Sequence, residues 1–144
     1  MGGVTEGKGI GALAAMVIGV AYAVGGVIGF AVTGFSGVTN SVGNKLLFLS
    51  LNPFQDFIHL AIGALLLYAG MKWSAAAVEG VLLGVGGIYV VAAITGFIYA
   101  HIPVITITTA GNSDNYLHAI TGATAIVAAL LSMSATNRQA RSAY

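Results

Sequence analysis

Two histidines each stand four residues before a glycine and just after an acid: Asp56, His59 and Gly63 in "NPFQDFIHLAIGALLLYAG" (52–70), and Asp114, His118 and Gly122 in "DNYLHAITGATAIVAAL" (114–130). Steps of three and four residues put each set on one face of a helix. Neutral imidazoles on neighbouring helices can hold haem iron, and a glycine one turn away leaves room for the macrocycle. A chlorin magnesium is a variant of the same chemistry. With Asp56 and Asp114 added, the donors become an N/O set of the kind zinc accepts. A plainer reading needs no ligand. An acid in the first turn complements the positive end of its helix and can fix the tautomer of a histidine one turn on, while the imidazoles hydrogen-bond across a bundle.

The elements that must position these groups are membrane spans. Only 6% of the residues are charged and 58% are hydrophobic, with mean hydropathy +0.95, against roughly 25% charged in soluble domains. Four stretches reach the roughly 20 residues a helix needs to cross a bilayer core: about Ile10–Thr33, Phe54–Met71, Val78–Ala100 and Asn115–Met133. Each must be a helix, since other lone segments in lipid leave their amides unpaired. The expected fold is therefore all-α, a four-transmembrane-helix bundle forming one integral membrane domain over residues 1–144. The first apolar run far exceeds the roughly 7–15 residue core of a signal peptide, so a retained span is expected there. Asn52 and Pro53 supply an N-cap and a favoured first helical residue for the second span, and Gln55 makes a box-like N-x-x-Q pattern.

Four crossings put Lys8, Lys72, Arg138 and Arg141 on one side and Lys45 alone on the other. The positive-inside rule then makes both termini cytoplasmic. His59 falls about 8 Å and His118 about 5 Å past the start of its helix, both near the outer surface. Repetition supports a common design. "FIHLAIGA" (57–64) aligns without a gap to "YLHAITGA" (116–123), and a Gly-Gly pair followed by "TGF" occurs at 25–35 and again at 86–97. Two helical hairpins of the same orientation are implied, as in parallel repeats. Glycine, at 21 residues, falls in small-xxx-small patterns such as Ala15 with Gly19, Gly25 with Gly29 and Gly80 with Gly84, which let helices approach closely in lipid.

Several classes are set aside. Five basic and four acidic residues, scattered singly, give no field for nucleic acid. Without cysteine there is no disulfide, thiolate ligand or covalent haem attachment. No catalytic constellation is visible. Glu79 is expected at the inner interface near Lys72, Tyr68, Trp73, Tyr99 and Tyr116 in an aromatic belt, "NKLLFLSLN" (44–52) at the interface, and "VITITT" (104–109) as a short extended segment folded over the bundle mouth.

"NKLLFLSLNPFQDFIHLAIGALLL" and "DNYLHAITGATAIVAAL" together resemble a family of small bacterial membrane proteins, widespread in actinobacteria, known as domain of unknown function 4383. The resemblance covers the chain from about Ile10 to Met133. Its elements are an Asn-Pro entrance with His-x-x-x-Gly in the second helix and Asp-Asn-x-Leu-His in the fourth, matched by Asn52, Pro53, His59, Gly63, Asp114, Asn115, Leu117 and His118. The sequence departs from that pattern at Gln55 and Asp56, where relatives often carry histidine and asparagine. The resemblance implies a four-helix integral protein of the bacterial inner membrane with no assigned activity. The function expected is a non-enzymatic structural or accessory subunit, in contact with lipid and with other subunits of a respiratory or photosynthetic complex. The alternatives are a haem- or chlorin-binding bundle using His59 and His118, and a small transporter or channel working through Asp56 or Asp114.

Overall fold

A computed structural model describes residues 9–35, 37–39, 45–99 and 101–142. It is an all-α bundle of four helices, each long and apolar enough to cross a membrane: α1 Ile10–Thr33, α2 Pro53–Lys72, α3 Ala75–Tyr99 and α4 Ser113–Ser142. At 1.5 Å per residue, the 20 residues of α2 span about 30 Å, the thickness of a bilayer core.

The helix ends follow local chemistry. Asn52 caps α2, its side chain accepting the Gln55 N–H at 2.7 Å, with Pro53 in the first turn. Asn112 does the same for α4, accepting the Asp114 N–H at 2.9 Å. Helix α4 runs past the expected limit at Met133 because polar residues end an apolar run without ending a helix. Ser134 and Thr136 donate back to the carbonyls of Leu130 and Ser132 at 2.8 and 3.1 Å. Residue 100, the expected end of the third span, and Lys8 lie outside the described residues.

The bundle is two tight hairpins. Helix α1 packs chiefly on α2 and α3 on α4; α1 and α3 also meet across the middle, whereas α2 and α4 stand apart. Glycines set the two close pairings. A Cβ on Gly19 would come within 3.0 Å of the Gly63 carbonyl, and one on Gly63 would overlap the backbone of Ala23. In the second hairpin, a Cβ on Gly86 would lie 3.0 Å from the Gly122 carbonyl, and one on Gly122 would lie 2.9 Å from the Val90 amide. Such approach replaces side-chain bulk by backbone-to-backbone dispersion contact, the attraction available between helices in lipid.

The same contacts thus occur twice, in a fixed register. Gly19, Ala23 and Gly29 of α1 match Gly86, Val90 and Gly96 of α3, each 67 residues on, while Asp56, His59 and Gly63 of α2 match Asn115, His118 and Gly122 of α4, each 59 on. "FIHLAIGA" and "YLHAITGA" are in this register. The Gly-Gly and "TGF" matches are not: Gly34 ends α1 at φ 66°, whereas Gly96 lies inside α3 against Asn115. Nor do the two acids correspond, since Asp56 aligns with Asn115 and Asp114 with Gln55.

Lys72, Arg138 and Arg141 lie toward one end of the bundle and Lys45 toward the other. At the Lys45 end the connections cover the mouth. Residues 45–50 form a tight hairpin, β1 Lys45–Leu46 with β2 Leu49–Ser50, with exposed Leu47 and Phe48 at its tip and Leu51 buried behind it. The expected interfacial stretch is therefore a turn, and its first residue, 44, lies outside the described residues. "VITITT" does fold back over the bundle, but as a 3-10 turn (Pro103–Ile105) closed by an Ile102–Ile107 bridge. This holds Thr106 buried at φ 61°.

Candidate functional site

Both histidines lie within the first two turns of their helices, at the mouth end and turned inward; His59 is 8% and His118 4% exposed. Tyrosines bring them together. The rings form a chain, His59–Tyr22–Tyr89–His118, with consecutive centroids 5.0, 5.1 and 5.2 Å apart, within the range of favourable aromatic pairs. Tyr22 also donates to Thr121 at 2.9 Å, tying α1 to α4. Neither tyrosine was singled out in the sequence. The signal that would have found them is position, for both sit in mid-span, far from any aromatic belt.

The acids do not orient the imidazoles. The Asp56 carboxylate is fully buried against Gly29 and accepts from the Thr33 hydroxyl at 2.6 Å. Asp114 is matched to Thr106, whose hydroxyl lies 3.2 Å from Asp114 Oδ2, 2.7 Å from Gln55 Oε1 and 2.9 Å from the Ser50 carbonyl. One hydroxyl proton can serve these acceptors only in turn. Gln55 therefore reaches to Thr106 and not back toward Asn52, so no capping box forms. Glu79, in the second turn of α3, is buried and accepts from Ser132 of α4 at 2.7 Å. Asn115 sits against Gly96 and donates to the Ala110 carbonyl at 2.9 Å, fixing the loop before α4.

Among the described residues, six buried polar atoms make no close hydrogen bond: Gln55 Nε2, Asp56 Oδ1, Tyr89 Oη, Asp114 Oδ1, Asn115 Oδ1 and His118 Nδ1, although the Tyr89 hydroxyl faces that of Tyr22. Leaving one such group unsatisfied costs about 1–3 kcal/mol, so each calls for a bound water, a strained contact or a ligand. Two grooves between the hairpins reach Gln55, Tyr89, Asp114 and His118 of these residues. One, of about 180 Å³, lies between α1 and α4 and is lined by Tyr22, Gly25, His59, Asp114 and Leu117 under the leucines of the β-hairpin. The other, of about 220 Å³, lies between α2 and α3, with Gln55, His59, Tyr89 and His118 among walls of Ile58, Ile62, Ile88 and Ala92.

These volumes bear on what the grooves can enclose. A dry cavity of about 150 Å³ holds benzene, so each groove accommodates one substituted six-membered ring; a haem or chlorin carries four pyrrole-type rings about a metal. Among the described residues, no three His, Asp or Glu side chains gather as metal ligands, so His59, His118, Asp56 and Asp114 do not form the N/O set that their types suggested.

A family model described as Domain of unknown function (DUF4383) matches residues 12–131, most of the chain. No curated protein and no solved structure matches.

Proposed function

The chain belongs to that family, and from this premise we propose that it is a non-enzymatic accessory subunit, embedded in the cell membrane and packed against other subunits within the bilayer. The supporting observation is the outward face of α3. Gly80 and Gly84 are exposed, Gly87 is partly so, and a Cβ on any of the three would meet nothing within 4 Å. At the matching positions of α1 the outward face carries Leu13, Val17 and Val20, the branched chains that suit lipid. Glycines spaced by three and four residues form a shallow groove that admits the backbone of another helix. The inward glycines already have such partners in the second helix of each hairpin. The clustering of Lys72, Arg138 and Arg141 supports an orientation with that end in the cytosol, and hence with the histidines in the outer leaflet.

The test is purification in mild detergent. Wild type is expected within a discrete assembly larger than the monomer, and Gly84→Ile, which has free space around it, is expected to release it as a folded monomer; Val17→Ile on α1 should change nothing. Isolation of the wild type as a lone monomer, or retention of Gly84→Ile in the assembly, would overturn the proposal.

A further inference from the structure

We propose that the groove between α2 and α3 binds a neutral, membrane-soluble ring compound bearing carbonyl oxygens, of the quinone class. Access comes first. The groove opens where α2 and α3 are only loosely packed, past exposed Ile88 and Phe54. Toward the aqueous side it is closed by the 3-10 turn, since Ile105 lines it and Thr106 is bonded to Gln55. With six residues between the start of α2 and His59, its floor lies about 9 Å along the helix, within the apolar layer. A ligand therefore enters sideways from lipid.

Size and charge narrow the class. At about 220 Å³, the groove exceeds the roughly 150 Å³ that accepts benzene by enough for a ring with small substituents, while a longer tail can remain among the acyl chains. Its lining holds no carboxylate, lysine or arginine, its ionisable side chains being two histidines and a tyrosine, which disfavours a carboxylate, phosphate or ammonium head that would be stripped of water there. Asp114 lines the opposite groove instead.

The remaining polar capacity is biased toward donation. Gln55 Oε1 is already engaged by Thr106, leaving the unpartnered Nε2 with its two N–H groups. The Tyr89 hydroxyl lines the groove and faces the Tyr22 hydroxyl as its donor. Neither imidazole makes a hydrogen bond among the described residues, and each neutral ring has one N–H to give. Donors in excess of acceptors, in a cleft free of carboxylate, lysine and arginine and sized for one ring, call for neutral acceptor oxygens. Ring carbonyls supply these at opposite edges of a flat molecule.

The experiment uses the full chain in lipid nanodiscs with isotopically labelled histidine, titrated with a 1,4-naphthoquinone carrying a short prenyl tail. The chain has three histidines, and His101, exposed beyond the end of α3, is the internal reference. Saturable shifts of the His59 and His118 ring signals, with His101 unmoved, are expected. The naphthalene with the same tail, lacking carbonyls, should bind at least tenfold more weakly. Ala92→Phe, which fills the groove, should abolish the shifts, whereas Gly25→Leu, which fills the other groove, should preserve them. Equal binding of the naphthalene would show a merely apolar cavity and overturn the proposal. So would absence of shifts, as for a groove holding water alone, common movement of all three histidines, or binding undiminished in Ala92→Phe. The naphthalene comparison on wild type stands even if a variant fails to fold.

Discussion

Replacing Gly63 with alanine perturbs the contact that positions His59 one turn away, and its cost can be worked from the structure. The new methyl carbon would fall on the Ala23 amide nitrogen and 2.8 Å from both Ala23 Cα and the Gly19 carbonyl oxygen, whereas ordinary contact begins at 3.4 Å. Helix α1 must retreat by at least about 0.6 Å, and a gap of 0.5–1 Å forfeits about a quarter to a half of each dispersion contact along the pair. Overpacking costs about 1–3 kcal/mol, and because the obstructing atoms are backbone and cannot rotate aside, the upper half of that range applies. Alanine also favours helix by up to about 1 kcal/mol. Gly84→Ala shares this gain and has nothing within 4 Å of the new methyl. The difference between the two variants therefore isolates the packing term, about 2–3 kcal/mol. Reversible unfolding in mixed micelles measures it. If Gly63→Ala unfolds within about 0.5 kcal/mol of Gly84→Ala, the close α1–α2 packing described here is wrong.

Thr33→Val, equal in shape, removes the hydroxyl that Asp56 accepts and should destabilise the bundle by about 1–3 kcal/mol in the same assay, while Thr33→Ser retains stability. Thr106→Ala removes the hydroxyl shared by Gln55, Asp114 and Ser50; hydrogen exchange should show lost protection at residues 102–107 and in the first turn of α4, leaving the α2–α3 turn unchanged. Because grooves of about 180 and 220 Å³ hold one ring each, protein purified from haem-replete cells should show no Soret or chlorin band. A stoichiometric band that disappears in His59→Ala would contradict that size argument.

The fold was legible because the bilayer leaves a chain this apolar few options. Ile10–Thr33 emerged with both ends as expected, and Asn52 with Pro53 fixed the start of α2. Legibility declined where side chains choose among partners across the bundle. Spacing put Asp56 and His59 on one helical face, but Thr33, 23 residues away in sequence, is the partner Asp56 takes. Thr106 was hidden in a loop whose alternation resembled a strand. The duplicated histidine motif was readable, yet its true register depends on which glycines touch. Repeated "TGF" misled because Gly34 is a helix terminus and Gly96 a packing contact. The outward Gly80–Gly84 pair had the same spacing as the inward Ala15–Gly19 pair, and only the packing separates the two roles.

The central claim is that both imidazoles converge inside one end of the bundle through Tyr22 and Tyr89. Through-space solid-state NMR on protein in native-like lipid, with histidine and tyrosine rings labelled, tests it directly. Ring-to-ring correlations should join His59 to Tyr22 and His118 to Tyr89, at centroid separations of 5.0 and 5.2 Å, and should disappear singly in Tyr22→Leu and Tyr89→Leu. Correlations of either imidazole with lipid acyl chains in place of tyrosine would contradict the account.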